Sequence, residues 1–238
     1  MKFYDMTYGL SWGVMHTLRT NFDLNLDEEI VINKFWENPK IVPMEIVTNH
    51  PDLQNKEPVI QDIYNWKKDH TKHWSHHPKG ILEVISSRLK EILEQFHLPE
   101  IRFYEVDMKN AGGVKYYMLH MHGYLDLVDY NKSIIALVDR DSKEVVKRFE
   151  AGSFKSIEDY LAMRRSLPNR QAKPTFETFV LLEDYDFLEN TPTSSAMVVS
   201  QPLKDAIEKA GLKGIKFSEY TEEKGDIPII LPNEYNNV

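Results

Sequence analysis

The sequence predicts an α+β fold, a mixed or mainly antiparallel sheet flanked by a few helices, and three observations predict it. Strand-like runs joined by a hairpin signal dominate the middle of the chain, two similar helix–turn–strand units recur, and no strict βαβ alternation is visible. The recurrence is a gapless echo: residues 84–105 align with residues 198–219 at a constant offset of 114, and nine of the 22 positions are identical. A duplicated unit constrains the fold before any single residue does.

In each copy a serine, Ser86 or Ser200, precedes an apolar stripe at helical spacing. Its hydroxyl is placed to accept a hydrogen bond from the first helical turn. The stripe is Leu89, Ile92, Leu93 and Phe96 in one copy and Leu203, Ala206, Ile207 and Ala210 in the other. Both copies then break before a short alternating run, Ile101–Phe103 or Ile215–Phe217, which suits a half-buried strand. The serines are therefore expected as buried caps and not as nucleophiles.

The other elements follow in chain order. Met1–Tyr8 and Ile41–Val47 read as strands. Between Pro51 and Pro78, Ile60, Ile63 and Tyr64 fall at helical spacing, so a helix is expected to lead out of a first lobe, residues 1–78, into a domain of residues 79–238. Asn110-Ala111-Gly112-Gly113 supplies the positive-φ residues of a tight reversal. Val114–Leu127 and Ser133–Asp139 read as sheet. Ser156 with Asp159 resembles a capping box opening a helix whose apolar face is Ile157, Tyr160 and Leu161. Phe176–Leu182 is strand-like, Glu183–Asn190 an acidic loop, and the tail, with Pro228 and Pro232 around Ile229-Ile230-Leu231, is expected to lie extended on the body.

Composition narrows the function. No apolar run approaches the roughly 18 residues of a membrane-spanning helix, and the start lacks the basic stretch and apolar core of a secretory signal. A cytoplasmic location is the default expectation. The absence of cysteine excludes disulfides, thiolate metal sites and thiol nucleophiles. A net charge of −8 disfavours nucleic acid and suits a basic partner.

Candidate chemistry is sparse. His70, His73 and His77, beside His76, share a helical face and could converge on a metal, although the interleaved Lys67, Lys68 and Lys72 fit a solvated helix end. His120 and His122 would share one face of a strand, as a metal or acid–base pair or as covered sheet residues. Asp126 and Asp129 could be paired carboxylates, but Asp129 with Asn131 and Lys132 more simply makes a turn. Arg164, Arg165, Arg170 and Lys173 form a local basic patch that reads as a solvated helix end and loop. No GxSxG, GxxxxGK[ST] or GxGxxG motif is present. The acidic loop, with Asp184, Tyr185, Asp186 and Glu189, could meet a basic protein surface or be hydrated.

Three stretches carry a family resemblance: SSRLKEILEQFHLPEIRFYEV, YYMLHMHGYLDLVDYNKS and VVSQPLKDAIEKAGLKGIKF. They resemble the immunity proteins of bacterial polymorphic-toxin systems, immunity family eleven, through Ser200, Leu203, Lys204, Gly211, Gly214, Ile215 and Phe217 and through Tyr116, Tyr117, Asp126, Asp129 and Ser133. The likeness runs from about Gly80 to Tyr220, and nothing specific is matched over the first 78 residues. The resemblance implies a non-enzymatic protein that binds and occludes a cognate toxin domain, without cofactor or metal. The face assigned to that contact is Asp184, Tyr185, Asp186 and Glu189. The alternatives are a metal-dependent enzyme using the His70, His73 and His77 cluster, and a regulatory binding module.

Overall fold

The computed structural model describes residues 1–8, 16–20, 42–48, 60–65, 82–121, 123–167 and 172–235. They group into two compact units, one of residues 1–5, 123–201 and 218–238 and the other of residues 6–122 and 202–217. The class is α+β, as expected. The expected boundary at residue 78 lies outside the described residues.

In the unit of residues 6–122 and 202–217 the strands are β2 (His16–Thr20), β3 (Val42–Thr48), β4 (Ile63–Asn65), β5 (Leu82–Ser86), β6 (Ile101–Lys109) and β7 (Tyr116–Met121). They form one sheet in the order β2-β3-β6-β7-β5-β4. Every pairing is antiparallel except β3 with β6. The hairpin between β6 and β7 turns on Asn110, Gly112 and Gly113, at φ of 60°, 59° and 84°. Two glycines are needed there because a Cβ is strained at positive φ. Val84 and Ile85 on β5, like Met118 and Leu119 on β7, are buried side by side. Such strands are covered on both faces and lose the alternation that marks a strand in sequence. The same cause corrects the helix expected around Ile60, Ile63 and Tyr64: Ile63–Asn65 is strand β4, with Ile63 and Tyr64 both buried.

Helix α1 (Ser87–Leu93) leaves β5 directly, and the Ser86 Oγ accepts from the Leu89 N–H at 3.2 Å. Leu89 and Leu93, one turn apart, are its buried stripe. What positions the cap is Asp62, a buried carboxylate ahead of β4. Its Oδ1 accepts from the Ser86 hydroxyl at 2.6 Å and its Oδ2 from the Lys213 N–H at 2.7 Å. Its backbone carbonyl accepts from the Ser86 N–H at 2.8 Å, and its N–H donates to the Lys213 carbonyl at 2.8 Å. The Arg88 guanidinium, 3.7 Å from Oδ2, adds a cation. Gly214 follows Lys213 with a φ of +85°, and a Cβ there would stand 2.6 Å from Gln61 Oε1.

In the other unit β8 (Ile134–Asp139), β9 (Val145–Phe149), β10 (Ala172–Val180) and β14 (Ile229–Ile230) form a sheet in the order β14-β10-β8-β9. The tail is therefore a short strand, parallel to β10. A register shift between Phe176 and Thr178 turns Phe176 and Phe179 to one side, where their rings meet edge to face at 5.7 Å. Tyr130 stacks on Tyr160 at 5.3 Å in the same core. Helix α2 (Ile157–Ser166) supplies Tyr160, and Ser156 caps it as expected, its Oγ accepting from the Asp159 N–H; Asp159 Oδ2 returns one residue further out than in a capping box, accepting from the Lys155 N–H at 3.0 Å. Burial pushes the phenols of Tyr124, Tyr130 and Tyr160 up, Tyr124 to about 12.

The remaining strands reveal how far the echo extends. Strands β1 (Phe3–Tyr8), β11 (Phe187–Leu188), β12 (Met197–Ser200) and β13 (Ile215–Glu219) follow the order β11-β12-β1-β13, the counterpart of β4-β5-β7-β6. Helix α3 (Gln201–Lys209) follows β12 as α1 follows β5. Asp186 stands ahead of β11 as Asp62 does ahead of β4; its Oδ1 accepts from the Ser200 hydroxyl at 2.5 Å and its carbonyl from the Ser200 N–H at 2.9 Å. The residue after each serine donates to a lysine carbonyl, Ser87 to Lys115 at 2.9 Å and Gln201 to Lys2 at 3.0 Å. Lys2-Phe3-Tyr4 thus answers Lys115-Tyr116-Tyr117, and β1 takes the place of β7. Lys90 and Lys204 pair with Glu94 and Glu208 and lie over the Phe103 and Phe217 rings at 5.1 and 5.7 Å. Five of the identical pairs, Ser86/Ser200, Leu89/Leu203, Lys90/Lys204, Glu94/Glu208 and Phe103/Phe217, are accounted for by this scaffold.

Replacing Asp62 with alanine leaves the Ser86 hydroxyl and the Lys213 N–H without their acceptor. Urea unfolding is expected to show a loss of about 2–4 kcal/mol for Asp62→Ala and about 1–2 kcal/mol for Ser86→Ala. A change below about 0.5 kcal/mol for Asp62→Ala, the size typical of a surface site, would refute the role assigned to it.

Candidate functional site

The four residues assigned to the acidic face are not presented together. Asp184 is exposed, with its Oδ2 accepting from Asn233 Nδ2 at 3.4 Å. Tyr185 is 8% exposed and belongs to the core that holds Phe179 and Leu181. Asp186 is half-buried on the Ser200 hydroxyl, and Glu189 is 5% exposed, with Oε2 3.3 Å from where a Cβ on Gly123 would stand. The outward residues of this turn are instead Leu182, Glu183 and Asp184. Leu182 is half exposed, an apolar side chain beside two carboxylates.

A groove of about 440 Å³ opens in the same unit. Phe3, Tyr4, Tyr220 and Ile229 line it with Met1, Lys2 and Pro228, and Glu219, Glu222 and Glu223 line it as exposed carboxylates. Sequence reasoning passed over these residues because they fall at a strand end and in a tail. The turn that carries Glu222 and Glu223 is closed on itself. The Thr221 N–H donates to Asp226 Oδ2 at 3.1 Å, the Asp226 N–H to the Thr221 carbonyl at 3.2 Å, and Gly225 takes a φ of +85°. Tyr220 is fixed below it, its hydroxyl donating to the Ile227 carbonyl at 2.8 Å, and burial pushes that phenol up. Two consecutive residues join groove and acidic turn: Asn233 reaches Asp184, and Glu234 pairs with the Met1 amino group. Both features therefore lie on one surface of this unit.

The other candidates separate. His70, His73, His76, His77, His122 and Arg170 lie outside the described residues. His120 is buried on β7, its ring 6.2 Å from that of Tyr104. Asp126 is exposed in a 3₁₀ turn. Asp129 makes the turn, its carbonyl accepting from the Lys132 and Ser133 N–H groups at 3.1 and 3.0 Å and its carboxylate pairing with Lys132 at 3.0 Å. Arg164 and Arg165 are exposed in the last turn of α2. Among the described residues no group of three His, Asp or Glu could hold a metal, and no helix is long and apolar enough to cross a membrane.

Fold and surface together define an α+β protein with an apolar-floored, acidic-rimmed groove and an exposed acidic turn. The chain matches the immunity protein family Imm11 over residues 23–164, more than half its length, and it belongs to that family. No curated protein matches it. The matched stretch corrects the extent of the likeness read from the sequence. It begins well inside the first 78 residues and ends before the second copy of the echo. The closing motif, Ser200 to Phe217, lies outside it and repeats a stretch, residues 86–103, that lies inside.

One carboxyl under this surface titrates abnormally. Burial raises the Asp5 carboxyl above its usual range, against a hydrogen bond donated by the Ser194 hydroxyl at 2.7 Å; the Asp226 carboxylate raises it further and Lys224 opposes. A raised folded value means that the stabilising contribution is complete below the unfolded pKa, about 3.8, and is lost as pH rises through the folded value. Asp5→Asn keeps the acceptor for Ser194 and removes the charge. Its melting temperature relative to the parent is expected to rise between pH 4 and pH 7; a difference independent of pH would contradict the assignment.

Proposed function

We propose that this protein binds a cognate bacterial toxin domain and neutralises it by occlusion, in the cytoplasm of the cell that makes both. The observation that carries the reading is its membership of an immunity protein family. The surface of the unit formed by residues 1–5, 123–201 and 218–238 supports it, because an apolar anchor within a charged rim is what a specific interface requires. Of the residues first assigned to that contact, Asp184 keeps a direct role, with Leu182 and Glu183 as its neighbours. Tyr185, Asp186 and Glu189 support the turn from beneath. A net charge of −8 directs the surface toward a basic partner.

Co-expression with the product of the adjacent gene tests the reading. Rescue of growth together with co-purification is expected. Growth arrest that persists, with no complex recovered, would reject it. Leu182→Ala combined with Glu183→Lys and Asp184→Lys is expected to weaken the complex about tenfold or more, mostly through faster dissociation for the leucine and slower association for the charges. Surface plasmon resonance separates the two rates.

A further inference from the structure

The corners built on Asp62 and Asp186 share their serine bonds and differ in what lies over them. Register fixes the equivalence: Ile63 faces Ile85 and Tyr64 faces Val84 between β4 and β5, as Phe187 faces Val199 and Leu188 faces Val198 between β11 and β12. Each aspartate directly precedes its short strand. Asp62 is 5% exposed, and a turn sits on it: Lys213 donates its N–H to Oδ2 at 2.7 Å and its carbonyl accepts from the Asp62 N–H at 2.8 Å, while the Arg88 guanidinium stands 3.7 Å from the same carboxylate. Asp186 is half-buried, next to the exposed Leu182, Glu183 and Asp184. At the place of Arg88, two residues after the serine, the second copy has Pro202, which carries no charge.

We propose that the corner at Asp186 docks a turn of the toxin that carries an arginine or lysine, seated as Lys213 and Arg88 are seated on Asp62. The inference rests on the immunity reading and names the partner's chemistry beside the contact turn of Leu182, Glu183 and Asp184. Shape and charge both come from the first corner, where the occupant is seen: a backbone turn offers an N–H and a carbonyl, and a guanidinium faces the carboxylate. A hydrogen bond from a cation to a half-buried carboxylate is stronger than one between neutral groups. The neighbouring lysines do not account for the difference, because they are common to both corners. The Lys2 carbonyl meets Gln201 as the Lys115 carbonyl meets Ser87, and Lys204, like Lys90, is held by a glutamate and a ring. A second copy of this chain cannot supply the turn. Its Lys213 is seated on its own Asp62, and the equivalent turn, Leu98-Pro99-Glu100, has a proline without an N–H where Lys213 has its donor.

The test uses the full chain and the toxin domain recovered by co-expression. Pro202→Arg gives the second corner the cation that the first already has, at an exposed position outside the serine–aspartate bond. Asp186→Asn removes the charge and keeps an oxygen for the Ser200 hydroxyl. Unchanged thermal unfolding establishes that a variant is folded. Each is expected to raise the Kd about tenfold, and Asp186→Asn also to flatten its salt dependence. Asp62→Asn, the same change at the covered corner, is expected to leave the Kd where it was. If the parent holds the toxin and either folded variant holds it within about twofold of the parent, or if Asp62→Asn weakens the complex as much as Asp186→Asn, the docking proposal is overturned and the immunity reading stands. If the parent holds no toxin, both fall.

Discussion

The rest of the fold depends on two hydrogen bonds from serine to aspartate, one buried and one half-buried. Asp62 and Asp186 each take a hydroxyl and a backbone N–H from the serine that ends a central strand and starts a helix. A carboxylate taken out of water is costly unless its oxygens are satisfied, and Asp62 offsets that cost with three donors from two segments: Ser86 and, more distantly, Arg88 at the start of α1, and Lys213 after α3. The result is a fixed corner. Strand, helix start and incoming edge strand meet at one side chain, so the helix cannot slide along the sheet without breaking several bonds at once. Lys213, in the turn after α3, docks on the aspartate that holds the cap of α1, so an element of the second copy completes the corner of the first.

Much of this was legible in the sequence. The echo marked both helices and the strands after them, and the identical Lys, Glu and Phe positions turned out to be a lysine held between a carboxylate and a ring. The hairpin at Asn110–Gly113 and the cap at Ser156 were visible because their residues have few other uses. The aspartate locks were not. Asp62 lies 24 residues before its serine and Asp186 only 14 before its own, so a gapless alignment cannot reach them. Strand β1 was visible as a strand, but its equivalence to β7 was not, because it stands at the start of the sequence while β7 follows its copy.

Charge misled where geometry decided. Asp184, Tyr185, Asp186 and Glu189 look like one acidic loop in a sequence, but a two-residue strand in their midst turns Tyr185 and Glu189 inward and sends Asp186 to Ser200. A residue's sign says what it could meet, and the local backbone says whether it faces outward. The carboxylates that do line a cavity, Glu219, Glu222 and Glu223, sit on a strand end and a 3₁₀ turn, where no periodicity points to them.

A duplicated scaffold leaves specificity to the places where its copies differ. Most of the shared positions, among them the serines, the core leucines and the ring-bound lysines, hold a helix on a sheet, and a change there damages the fold before it alters a partner. The copies diverge after Val106 and Tyr220 for a readable cause: Asp107-Met108-Lys109 continues an extended strand, whereas Glu222-Glu223-Lys224-Gly225 places a glycine at φ of +85° and closes a turn on Asp226. That turn ends the strand at Glu219 and places two exposed carboxylates, Glu222 and Glu223, beside Phe3 and Tyr4. Backbone geometry and charge therefore arise together from four residues, so a surface for a new partner can be acquired without disturbing the aspartate locks that keep the sheet and helices in register.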